Sequence, residues 1–79
     1  MEYYSFPTNL KKHRKRCNLT QEQLAKKLGI SRSMLSMYET SIIYPTLDRV
    51  YDIARILDVE VADLLKRRES TADRTKYIK

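Results

Sequence analysis

This 79-residue sequence has one thiol, Cys17, and one imidazole, His13, the pair whose types could act as nucleophile and base. A catalytic thiol needs a base within hydrogen-bond reach and a further group that orients the base. These two stand four residues apart, on what reads as the inner face of one helix, with no evident third partner. A core thiol and a half-buried imidazole are the expected roles. A single cysteine excludes an intramolecular disulfide, and one cysteine with one histidine falls short of a conventional zinc site. A phosphate-cradling loop needs glycines, and the chain has one. The acidic residues show no metal-site spacing. No enzyme is expected, and no cofactor or small-molecule ligand.

What remains is charge. Sixteen Lys and Arg against ten Asp and Glu leave a formal charge of +6, and a small basic domain suits a polyanion, nucleic acid first. The distribution tempers this. Residues 11–16 hold five basic groups, and residues 66–79 hold six against two acids. The stretch 17–65 holds five basic and seven acidic residues, a net of −2. Charged ends that serve only solubility explain the excess equally well. No run approaches the length of a membrane span, and Met1–Phe6 lacks the basic start and apolar run of a secretory signal. With no disulfide to form, a cytoplasmic location without membrane contact is expected.

The elements that would carry any site are helical. With one Gly and two Pro the breaks are few, and the apolar period is that of amphipathic helices. Helix 1 is expected from Pro7 or Thr8 to Cys17, with Leu10, His13, Arg14 and Cys17 inward. Thr20 and Gln23 have capping-box spacing, so helix 2 runs over about 21–28 with Leu24, Ala25 and Leu28 inward, and Gly29 ends it. Ser31 caps helix 3, about 32–39, with Leu35 and Tyr38 inward. Residues 40–46 form a loop, and Thr46 caps helix 4, about 47–57, whose stripe is Leu47, Val50, Ile53, Ala54 and Leu57. Val59 and Val61 lead into a short helix 5 ending near Lys66, with Leu64 and Leu65 inward. The chain reads as one all-α domain over 1–79, its core about 7–66 and a polar basic tail from 67 to 79.

The segment Thr20–Glu39 places two short helices around a tight turn at Gly29, with small Ala25 where the helices must approach. That is helix-turn-helix geometry, in which the second helix can enter a major groove. The sequence resembles the phage-repressor (Cro/repressor, XRE-type) helix-turn-helix family. The resemblance covers about Asn9 to Lys66. It is carried by the Leu10…Arg14 spacing, Leu19-Thr-Gln-Glu-Gln-Leu-Ala25, Leu28-Gly-Ile-Ser31, Tyr38-Glu39, Pro45-Thr-Leu47, Ile53-Ala54 and Leu57-Asp-Val59. It implies a compact five-helix, lambda-repressor-like domain and a sequence-specific regulator of transcription. The expected function is repression from a palindromic operator in double-stranded DNA, bound as a homodimer.

Residue roles follow from the resemblance. Gln21 matches a phosphate-holding position at the start of helix 2, where free N–H groups and the positive dipole end favour an anion. Helix 3 matches the recognition helix, so Arg32, Ser33, Ser36 and Met37 face the groove, and Ser31, its N-cap, is counted among the DNA-binding residues. Arg32 suits guanine, whose O6 and N7 match its fork. Thr40 matches a phosphate contact. Arg14 and Glu39 match a structural salt bridge between helices 1 and 3.

The loop after helix 3 departs from the family. Ser41 stands where Gly is frequent, and Ile42, Ile43 and Tyr44 replace polar residues. With Ile56, expected opposite the helix 4 stripe, and Val61, they form the expected dimer patch. Ile43 or Tyr44 could instead cap the monomer core. Tyr3, Tyr4 and Phe6 could add contacts or pair as a short strand. The rival reading is an antitoxin-like or coactivator-like protein-interaction module of the same fold.

Overall fold

The computed structural model describes residues 5–66; the expected tail and Tyr3 and Tyr4 lie outside them. Five helices follow in order: α1 Phe6–Arg16, α2 Gln21–Leu28, α3 Arg32–Glu39, α4 Leu47–Leu57 and α5 Val61–Leu65. The described residues contain no strand.

Local chemistry accounts for most of the boundaries. The Thr20 hydroxyl accepts the Gln23 N–H at 3.0 Å while the Gln23 side chain accepts the Thr20 N–H at 2.8 Å, a reciprocal cap on α2. Gly29 then turns the chain with φ +74°, and the Ile30 N–H returns to the Ala25 carbonyl at 3.0 Å. Ser31 accepts the Met34 N–H at 3.0 Å and starts α3 immediately. Thr46 does the same for α4 through the Arg49 N–H at 3.2 Å. Asp58 closes α4 in the left-handed region, φ 59°, which its short polar side chain tolerates.

The core gathers one apolar face from every helix: Phe6 and Leu10 of α1, Leu24, Ala25 and Leu28 of α2, Leu35 and Tyr38 of α3, Val50, Ile53, Ala54 and Leu57 of α4, and Leu64 of α5. The helix α1 packs on α3 and α5, α2 packs on α3 and α4, and α4 packs on α5. Arg49 fastens α4 to the end of α2 by donating to the Leu28 carbonyl at 3.2 Å, a cation on the negative end of the helix dipole.

Several expectations need correction. Phe6 is the first residue of α1 and fully buried, because a large ring one turn before Leu10 extends the same inner stripe. Cys17 is exposed rather than inward: it lies just past the last turn, and its thiol only reaches the Leu57 carbonyl at 3.6 Å. Leu47 is 54% exposed, since the first turn of α4 overhangs the core. Ile56 is half-buried and packed against the core, because other helices pack on α4, α2 and α5 among them, and a wheel of α4 alone does not contain them. Ile43, Tyr44, Val61 and Leu65 are half-buried there too.

Candidate nucleic-acid interface

The outer face of α3 is set by what its inner face buries. Leu35 and Tyr38 point into the core, so Arg32, Ser33, Ser36, Met37 and Thr40 fall on the opposite side at helical spacing. Exposure is graded along the helix. Ser31, Arg32 and Ser33 are exposed, whereas Ser36 and Met37 are half-buried. The open end is the N-terminal one, the end with which a recognition helix meets base edges. Arg32 has no ion-pair partner among the described residues, although it sits where the helix dipole disfavours a cation. An external anion, or the acceptors of a guanine edge, would relieve that placement.

The polar atoms around this face differ in what they can still offer. The Ser31 hydroxyl accepts from the Met34 N–H, so its own proton is free to donate outward. Thr40 is exposed, but its hydroxyl already donates to the Ser36 carbonyl at 2.9 Å. It presents lone pairs, and to hold a phosphate it must release that bond.

Behind the face lies a polar cluster that joins three helices. Arg14 of α1 makes a forked contact with Glu39 at the end of α3, Nε to Oε2 at 2.7 Å and Nη2 to Oε1 at 3.2 Å. The Arg14 and Glu39 side chains are 8% and 2% exposed. The remaining Arg14 nitrogen, Nη1, donates to the Leu19 carbonyl at 2.7 Å. Gln21, the first residue of α2, donates from Nε2 to Glu39 Oε1 at 3.0 Å. The Gln21 amide is thus partly committed within the protein and keeps one N–H and its carbonyl oxygen for an outside partner. Truncating one member of so buried a pair costs roughly 3–5 kcal/mol, because the other charge is left unpaired.

The residues of the apolar loop divide. Ile42 is 67% exposed and projects, while Ile43 and Tyr44 lean on the core. Leu47, expected inward, and Tyr51, which the sequence reading passed over, stand one turn apart on α4, each 54% exposed. The signal that could have found Tyr51 is its place on the helix wheel, far round from Ile53 and outside the stripe of Val50, Ile53 and Leu57. Asn9 was missed as well. It is a buried polar residue on α1 whose Nδ2 donates to the Leu64 and Lys66 carbonyls at 3.0 and 2.8 Å. Extending the inner stripe of α1 one turn back from His13 would have included it.

Comparison with known proteins bears on this geometry. A family model described as Helix-turn-helix matches residues 10–64. The uncharacterised HTH-type transcriptional regulator YqaE of Bacillus subtilis is 44% identical over 61 residues, which are 77% of this chain and 53% of that protein. This chain therefore spans about half the length of that relative. An uncharacterised HTH-type transcriptional regulator of Methanocaldococcus jannaschii is 42% identical over 55 residues, 70% of this chain and 83% of that protein. Among solved structures, the N-terminal DNA-binding domain of SinR from Bacillus subtilis superposes with a TM-score of 0.73 at 27% identity, over 82% of this chain and 96% of that domain. Two capped helices about a left-handed glycine, an open α3 and a family match running from α1 into α5 lead to one assignment: the chain belongs to the helix-turn-helix family of the phage-repressor (XRE) type.

Proposed function

We propose that this chain is the DNA-reading part of a transcriptional regulator, that it sits on a palindromic operator as a two-fold dimer, and that it represses by occupying that site. The observation that carries the reading is the exposed first turn of α3, where Arg32, between Ser31 and Ser33, has no ion-pair partner among the described residues. In this reading Arg32 reads a base edge, Ser33, Ser36 and Met37 flank it, and Ser31, Gln21 and Thr40 hold backbone phosphates. The action is recognition, with no chemical step. A protein seated on duplex DNA excludes any other protein that needs the same groove, which is the simplest route to repression.

Dimerisation is supported by Ile42, Leu47 and Tyr51, large apolar side chains left in water. One recognition helix reads only a few base pairs. Two copies about a two-fold axis double the readout and space the helices about 34 Å apart. Ile43, Tyr44, Ile56 and Val61 support such a patch from beneath, since each is also packed on the monomer core.

Selection of sites from a random duplex library, followed by affinity against salt, tests the reading. The expected outcome is a palindromic motif and a linear fall of log affinity with log salt. The same exposed face also favours the rival reading, a module that holds a different protein. A chain that selects no motif and shows no salt-dependent duplex binding would decide for that rival.

A further inference from the structure

The Arg14–Glu39 pair does more than join two helices. Glu39 Oε1 receives two donors, Arg14 Nη2 at 3.2 Å and Gln21 Nε2 at 3.0 Å, and Arg14 also grips the carbonyl of Leu19, the residue before the α2 cap. The N-terminus of α2 is therefore held at two points by one guanidinium: directly through the backbone of Leu19, and through Glu39 by the side chain of Gln21. The chain needs such a grip there, because Asn18 turns in the left-handed region, φ 60°, just before α2 begins. We infer that Arg14 and Glu39 are positioning residues for DNA binding, acting through Gln21 and the first turn of α2. This rests on the DNA-binding reading above.

Two physical effects support it. The first is orientation. A free glutamine at a helix start samples several rotamers, and holding one of them before binding removes part of the ordering cost of a phosphate contact. With one Nε2 proton on Glu39, the other proton and the carbonyl oxygen have defined directions. The second is charge. Glu39 is bonded to Gln21 at 3.0 Å, so a phosphate held by Gln21 would come near it, and a bare carboxylate there would repel that phosphate. The forked guanidinium cancels that charge at 2.7 Å. Glu39 can therefore anchor Gln21 without opposing DNA only while Arg14 is present.

The test separates positioning from folding. Replacing a buried ion pair by apolar groups of similar size commonly preserves stability, whereas removing one partner does not. Arg14→Met alone is expected to lower the melting temperature and to weaken binding to a short mixed-sequence duplex. The joint variant Arg14→Met/Glu39→Leu is expected to recover the melting temperature while binding stays about tenfold weaker than in the unaltered chain, the size of one hydrogen bond to a charged group. Adding Gln21→Ala to that background should change binding little, although Gln21→Ala alone weakens it. Binding restored to the unaltered level in the joint variant would overturn the inference. Should the joint variant not fold, the side-chain amide of Gln21 in the unaltered chain decides by NMR. One Nε2 proton that exchanges with solvent markedly more slowly than in a free glutamine side chain supports the anchor, and exchange of both protons at the free rate overturns it. If the unaltered chain binds no duplex at low salt, the DNA reading itself fails and the inference with it.

Discussion

The side chain of Asn9 in α1 closes the far end of the fold by donating to the carbonyl of Leu64 in α5 at 3.0 Å. A second bond, to the Lys66 carbonyl at 2.8 Å, uses the other hydrogen of the same nitrogen. A helix of one and a half turns cannot satisfy its last carbonyls alone, so Asn9 supplies what α5 lacks. Asn9→Leu leaves those acceptors unpaired beside the buried Leu64. The expected loss is about 1–3 kcal/mol, with faster amide exchange in α5 than elsewhere. Unchanged exchange in α5 would remove Asn9 from this role.

His13 makes stability depend on pH. The ring is buried, and desolvation first, then Lys12 and Arg16, hold its pKa below the ordinary 6.5, with Asp63 opposing and Lys66 assisting. The unfolded chain therefore takes up a proton more readily than the folded one. Stability is present above the unfolded value and declines as pH falls through it toward the lower folded value. Melting temperatures at about pH 7.5 and about pH 5.5 should differ less for His13→Gln than for the unaltered chain. An identical difference would show that other groups carry the dependence.

Ser41 adopts φ 68° at the end of the α3 cap, a region that favours glycine. Left-handed backbone costs a residue with a Cβ roughly 1–2 kcal/mol, and glycine loses about 0.5–1 kcal/mol in added freedom of the unfolded chain. Ser41→Gly should therefore stabilise the fold by about 0.5–1 kcal/mol, read as a higher urea midpoint at unchanged slope. A lower midpoint would show that Ser41 is not strained.

Arg32→Ala should relax selection at one base pair per half-site and weaken the preferred site by about 1–3 kcal/mol. Because Arg32 is exposed and is the first residue of α3, the melting temperature of the variant should stay close to that of the unaltered chain. A selected motif that is identical at every position after the change removes Arg32 from base readout.

The dimer is best tested where the patch is free of the core. Ile42 and Leu47 are 67% and 54% exposed, so Ile42→Asp with Leu47→Asp should leave helicity intact. Sedimentation on a palindromic duplex should then show one chain where the unaltered protein shows two. Ile56 is unsuitable for this purpose, since it also packs on the core. Two-to-one binding by the doubly charged variant would move the interface elsewhere.

The helices were legible because their signals are local. Thr20 with Gln23, Gly29, Ser31 and Thr46 act on backbone groups within four residues, and the apolar periods need only their own helix. The unit formed by α2 and α3 follows from that punctuation alone, and with it the helix that offers Arg32 to solvent. What lay beyond the sequence is whatever depends on a second helix. Whether Leu47, Tyr51 and Ile56 are wet or dry was decided by how far α5 and the neighbouring helices reach over α4, which no wheel of α4 contains. Asn9 acquires its role from carbonyls 55 and 57 residues away. The availability of Gln21 depends on where Glu39 stands, and that position exists only once α1 has placed Arg14 between α2 and α3. Caps and periods act over one turn of chain, whereas burial and hydrogen-bond competition are settled between surfaces that meet only in the folded protein.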